Sequence, residues 1–178
     1  MAVVLGTSSG FVTSAPVDNP QGINSPIGGY ARGQKDTSPV TNNTITEIGF
    51  YANNATSEAN FEIGIYSHNA GDDKPNVRLY HGTTNAKGTG AGWISVTGLN
   101  YTITPETIYW LAVVVDDSST NTDYSDAARG CYKETADLLN PFGSDGEGFY
   151  TYAIYAITSY VEPPVGSTEG QSMPPYVY

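Results

Sequence analysis

The sequence predicts an all-β fold: an antiparallel two-sheet β-sandwich, jelly-roll-like in its connections. Three observations carry that expectation. Apolar and polar residues alternate with a period of two in TITEIGFYA (44–52) and NFEIGIYSH (60–68), the spacing of strands with one face on a core. Leu is scarce beside Val, Ile, Thr and Tyr, and β-branched and aromatic side chains pack well on a pleated surface. Clusters rich in Gly, Pro, Asn and Asp separate these segments, and no stretch reads as a long amphipathic helix, so βαβ units are excluded. At 178 residues, one domain is the default.

Residues 1–43 are rich in Gly, Pro, Ser and Asn and read as an N-terminal arm with one or two short strands, at 11–15 and 30–34. In 44–52, strict alternation sets Ile45, Glu47, Gly49 and Tyr51 against Thr46, Ile48 and Phe50. In 60–68, Phe61, Ile63 and Ile65 share a face, and the intervening NNATSE implies a hairpin with a loop longer than two residues. The turn NAGDDKPN precedes a short strand at 77–81, and a Gly-rich loop leads into WISVTGL (93–99). NYTITPE adds a short strand and a turn. TIYWLAVVVDD (107–117) is the most nearly continuous apolar run, as expected of a central strand covered on both faces. Residues 118–126 read as polar loop, 128–135 as strand, and 135–139 as a helical turn ended by Pro141. FYTYAIYAITSYV (149–161) closes the core, and 162–178, with four prolines, reads as a C-terminal arm. The sandwich therefore spans 44–161. Its core draws on Ile45, Ile48, Phe50, Phe61, Ile63, Ile65, Trp93, Val96, Leu99, Ile103, Trp110, Ala112, Val114, Ile154 and Ile157.

Charge narrows the partners. Lys and Arg number 7 against 18 Asp and Glu, a formal net charge of −11. Such a chain repels phosphate backbones and anionic membrane surfaces, so neither nucleic acid nor membrane insertion is expected. The run 111–115 is too short to cross a bilayer as a helix. MAVVLGTSSG has neither a basic n-region nor a sustained apolar h-region, so no signal peptide is read there. The single cysteine, Cys131, excludes an intrachain disulfide framework and reads as a small buried hydrophobe.

Candidate chemistry is sparse. His68 and His81 lie near strand ends without further zinc ligands, and no G-x-S-x-G elbow occurs. Glu47 and Glu62, central in adjacent predicted strands, could face each other as the acid and base of a glycosidase; a solvated sheet face accounts for them equally well. A non-enzymatic role is the expectation. No cofactor is required, although calcium could be held by Asp116, Asp117, Asp123 and Asp126, which crowd one interstrand loop. Asp72 and Asp73, and Asp145 and Glu147, crowd two others; without an ion, all are charged loop ends. Flat aromatic faces beside polar groups suit glycans, and the chain has 14 Tyr and 2 Trp. The candidate ligand-binding residues are Trp93, Tyr66, Tyr80, Tyr101 and Tyr124, all near strand ends, whereas Trp110 reads as core. Tyrosine-rich surfaces serve protein interfaces just as well. The sequons at Asn42, Asn54 and Asn100 are chance matches in a chain so rich in Asn and Thr.

The segments TITEIGFYANNATSEANFEIGIYSHNAG (44–71) and GWISVTGLNYTITPETIYWLAVVVDD (92–117) resemble a loose class of β-sandwich modules found in phage and virus structural proteins and in bacterial extracellular proteins. The marks are the IGFY strand, the IGIYS strand with its polar turn, and a Trp-led strand running into TIYWLAV. They cover under half of the chain and are packing signatures. The resemblance implies a structural or surface component of a viral particle or extracellular assembly. Its expected partners are copies of itself or other structural subunits, reached through the arms. The alternative is a carbohydrate-binding module using exposed aromatics, stabilised by calcium or not.

Overall fold

The structure, a computed structural model, describes residues 2–53 and 58–160, with the side chains of 127–129 excepted. The sequon at Asn54 and the Pro-rich segment 162–178 lie outside the described residues. Twelve strands follow in chain order: β1 (Gly10–Val12), β2 (Ile23–Pro26), β3 (Tyr30–Thr37), β4 (Thr44–Ala52), β5 (Asn60–Asn69), β6 (Lys74–His81), β7 (Asn85–Ala86), β8 (Gly92–Thr102), β9 (Ile108–Val115), β10 (Asn121–Glu134), β11 (Gly146–Tyr152) and β12 (Ile154–Ser159). The smaller sheet has the order β1-β12-β4-β8 and the larger β11-β10-β3-β9-β5-β6, with β2 on β10 and β7 on β5. The fold is an all-β sandwich.

Its topology follows from nested pairing. β5 pairs with β6, β4 with β8, β3 with β9, and β1 with β12. A long hairpin of four such pairs, rolled so that alternate pairs fall in opposite sheets, is the jelly-roll arrangement. There is one departure: β1 runs parallel to β12. β10 and β11, inserted between β9 and β12, extend the larger sheet beyond β3.

The N-terminal boundary at residue 43 does not survive as a division between arm and sandwich. β3 is interior to the larger sheet, between β10 and β9. The preceding segment is fastened across the molecule by Val3 N donating to Ser125 Oγ at 2.7 Å and Phe11 N to Asp36 Oδ2 at 2.8 Å. Two further expectations are corrected. The loop after β9 ends at Thr120, because residues 121–126 pair with β2 and β11. The run expected over 149–161 is, in its described residues 149–160, divided between two strands, breaking at Ala153 where the chain leaves the larger sheet for the smaller.

The main core lies between the sheets and includes Ile45, Ile48, Phe50, Phe61, Ile63, Ile65, Ile103, Leu111, Val113 and Ile154, all buried. Each such side chain contributes about 1.5–3 kcal/mol by leaving water. Strict alternation would set Ile45 opposite Ile48; a bulge between Ile45 and Glu47 brings both inward. β9 is covered on both faces, as its composition predicts. Its Tyr109, Leu111, Val113 and Val115 join the main core, while Trp110, Ala112 and Val114 pack outside with Tyr66, Cys131, Leu138 and Phe142. That outer cover is the connection 135–145, which contains no helical turn. Trp93 and Ile157 are only half-buried, and Val96 and Leu99 pack partly buried against the main core.

Candidate functional site

The acidic pair is dismantled by the topology. Glu47 lies on the strand face opposite the inward Ile48 and Phe50, and Glu62 opposite the inward Phe61 and Ile63. β4 and β5 belong to different sheets, so the two carboxylates stand on opposite outer faces of the sandwich, beyond the reach of one substrate bond. Each has its own partner. Tyr155 donates its hydroxyl to Glu47 Oε1 at 2.5 Å, and His81 Nε2 lies 2.9 Å from Glu62 Oε2.

The four aspartates do not converge either. Asp116 accepts from Asn60 N at 2.7 Å. Asp117 accepts from Thr120 Oγ1 at 2.6 Å and from Thr120 N at 2.9 Å, closing the turn between β9 and β10. Burial alone would raise the Asp117 pKa, but the Thr120 hydroxyl and the Thr120 and Ser119 amides hold it below its ordinary value. Asp123 is fully buried within β10 and accepts from Asn53 Nδ2 at 2.7 Å and Gly22 N at 2.9 Å. Asp126 is exposed on β10. Among the described residues, no three acidic, His or Cys side chains are gathered as a metal would need.

The five aromatic candidates occupy four different places. Tyr66 is fully buried in the outer core, its hydroxyl donating to Leu139 O at 2.8 Å, so the expectation of an exposed ring there is corrected. Trp93 packs edge-on against Tyr51 and Tyr155 on the smaller sheet's outer face and donates its indole N–H to Asp18 O at 2.9 Å. Tyr80 and Tyr101 pack against each other at a tilt of 52°, 5.5 Å between centroids, where β6 meets β8. Tyr124 packs against Tyr150 and Tyr152. Tyr80, Tyr101 and Tyr124 are each partly buried against the main core.

A groove forms elsewhere, on the outer face of the larger sheet. It has a volume of about 260 Å³ and is lined by Lys35, Asp73, Trp110, Gly130, Glu147, Gly148 and Phe149. The β5–β6 turn leans over the sheet to make one wall. Lys35 of β3 reaches Asp73 Oδ2 at 2.6 Å, and Lys74 reaches Glu147 Oε1 at 3.0 Å. Beneath, the Lys35 ammonium sits 5.7 Å from the centroid of the Trp110 ring. Trp110 Nε1 donates to His68 Nδ1 at 3.3 Å, which leaves the His68 proton on Nε2, facing Asp73 Oδ1 at 3.6 Å. The opposite wall is β11, where Phe149 is 77% exposed. Gly130 and Gly148, paired across β10 and β11, line the groove with their backbone, since a Cβ on either would point toward the core-side rings of Tyr150 and Tyr152.

Asp73 and Glu147 appear in the sequence only as members of acidic clusters, and Lys35, Lys74 and Phe149 carry no motif. The one legible signal is phase: Phe149 falls on the strand face opposite Tyr150, Tyr152 and Ile154 and so points away from the core. No family model, no curated protein and no solved structure matches this chain.

Proposed function

We propose that the chain is a non-enzymatic structural or surface component of a viral particle or extracellular assembly, and that it associates with copies of itself along β8. One observation supports this reading above the others. β8 is an eleven-residue strand at the end of the smaller sheet, GWISVTGLNYT, with no charged residue and no proline. Proteins ordinarily blunt such edges with charge, proline or a covering segment, because an open row of N–H and C=O groups is a template for another strand.

The neighbouring edge of the larger sheet illustrates the contrast. β6 carries Pro75, Lys74 and Arg78, and is capped by Phe142 N donating to Asn76 O at 3.1 Å and by Arg78 N donating to Asn140 Oδ1 at 2.9 Å. Among the described residues, β8 has backbone partners on β4 alone. Pairing β8 with its counterpart about a two-fold axis would continue the smaller sheet across two subunits.

Light scattering tests this reading. The wild-type chain is expected to be a dimer or larger, and Thr97→Lys combined with Asn100→Lys, at two exposed β8 positions, is expected to give a folded monomer. A wild-type monomer at high protein concentration would overturn it.

A further inference from the structure

We propose that the groove between the β5–β6 turn and β11 is a binding site for an uncharged sugar ring, with Phe149 as its platform. This goes beyond the association along β8 and involves a different sheet. Three features point to that ligand class.

The first is the platform. Phe149 presents an apolar ring, 77% exposed, on β11 at the irregularity in its pairing with β10. A phenyl face carries negative quadrupole charge and attracts the polarised C–H groups that line one face of a pyranose.

The second is charge. The chain as a whole is strongly acidic, with a net charge of −11, yet the described charged side chains that line the groove are locally balanced. Lys35 is paired with Asp73, and Lys74 with Glu147. An anionic ligand would have to displace a carboxylate from its lysine, and a cationic ligand a lysine from its carboxylate. A hydroxyl group, which both donates and accepts, can join either pair without separating it. Asp73 and Glu147 remain accessible for this, with side chains 65% and 43% exposed.

The third is size and rigidity. A groove of about 260 Å³ admits one ring with its exocyclic groups. Its far wall is fixed from below, because Asp73 is tied to Lys35, and Lys35 rests over the buried Trp110. A pre-formed wall reduces the ordering cost of binding.

The test is an array of uncharged and acidic oligosaccharides probed with the full chain and three variants, each checked for its fold by circular dichroism. Wild type is expected to be retained on a subset of these glycans. Phe149→Ala should weaken retention by about tenfold or more, whereas Phe149→Trp, which keeps an aromatic face, should preserve it. Tyr160→Ala removes an exposed aromatic outside the groove and should change nothing. Binding should also be insensitive to salt, since no net charge is exchanged. The proposal is overturned if no uncharged glycan is retained, if Phe149→Ala binds as wild type does, or if only acidic glycans bind and salt releases them. The β8 lysine variant should bind glycans normally, so failure of this site and failure of the assembly reading give different results.

Discussion

The ring of Tyr155 lies across Gly49, so close that a Cβ on Gly49 would stand 2.6 Å from Tyr155 Cε1. The two residues face each other in the register of β4 and β12. The ring cannot slide away, because its hydroxyl is held by Glu47 and its edge packs on Trp93. Gly49→Ala is therefore expected to destabilise the fold by about 1–3 kcal/mol, the usual cost of overpacking. Denaturant unfolding monitored by tryptophan fluorescence measures it directly. A variant as stable as wild type would show that Tyr155 has room to move.

Arg32 is 8% exposed and sits among three tyrosines. Its guanidinium carbon is 5.2 Å from the Tyr30 ring centroid, 5.3 Å from Tyr132 and 5.4 Å from Tyr152, while Nε donates to Pro26 O at 2.8 Å. A planar guanidinium stacks on ring faces and donates sideways at once; an ammonium cannot do both. Arg32→Lys should cost about 1–2 kcal/mol despite retaining the charge. Equal midpoints in urea would refute the argument.

Alkaline pH should unfold the protein early. Burial pushes the Tyr66 hydroxyl above its ordinary value, partly opposed by Arg78; burial and then Glu47 do the same to Tyr155; and burial raises the Cys131 thiol. A raised folded-state pKa means that the unfolded chain gives up its proton first. The stability of these groups is thus intact below the unfolded values, about 8.5 for Cys and about 10 for Tyr, and falls as pH rises past them. Unfolding free energies measured from neutral pH upward should decline through this range. Tyr66→Phe should lose about 1 kcal/mol at neutral pH, with the Leu139 hydrogen bond, yet show a shallower alkaline decline.

The turn after β9 depends on Asp117 as an acceptor. Asp117→Ala should cost about 1–2 kcal/mol by leaving the Thr120 and Ser119 donors without it. Since its folded pKa is lowered, the stabilisation is present above the ordinary carboxylate range and is lost as pH falls through the folded value. Calcium should leave the melting temperature unchanged, because Asp116, Asp117 and Asp123 already accept from N–H and O–H groups. A rise of several degrees on adding calcium, reversed by chelator, would contradict this.

The legible parts of the fold were those set by local periodicity. β4 and β5 lie where alternation places them, and the apolar run of β9 correctly implies cover on both faces. What escaped depends on distant partners. Ile45 turns inward because of a bulge, which is a property of the β4–β8 pair and of neither sequence alone. β3 carries Arg32, Gln34 and Lys35, polar residues that disguise an interior strand; Gln34 is tolerated there because its Oε1 accepts from Tyr152 N at 2.8 Å. Glu47 and Glu62 look like neighbours only if β4 and β5 form a hairpin, and they part because the chain changes sheets between them. The groove was the least readable feature, since its residues come from β3, β9, β10, β11 and the β5–β6 turn.

The nesting of the strand pairs also orders events in time. The innermost pair, β5 with β6, needs only a short loop to close, whereas β1 must wait for β12, joining Gly10 to Tyr155. Each outer pair closes a longer loop, but over a gap already shortened by the pair inside it, so assembly should run as a zipper from the middle of the chain toward both ends. A nascent chain released before β12 would hold β4 with one of its two neighbours missing and the main core open along that side. Such a fragment would be an aggregation hazard, and the finished sandwich a slow folder for its size.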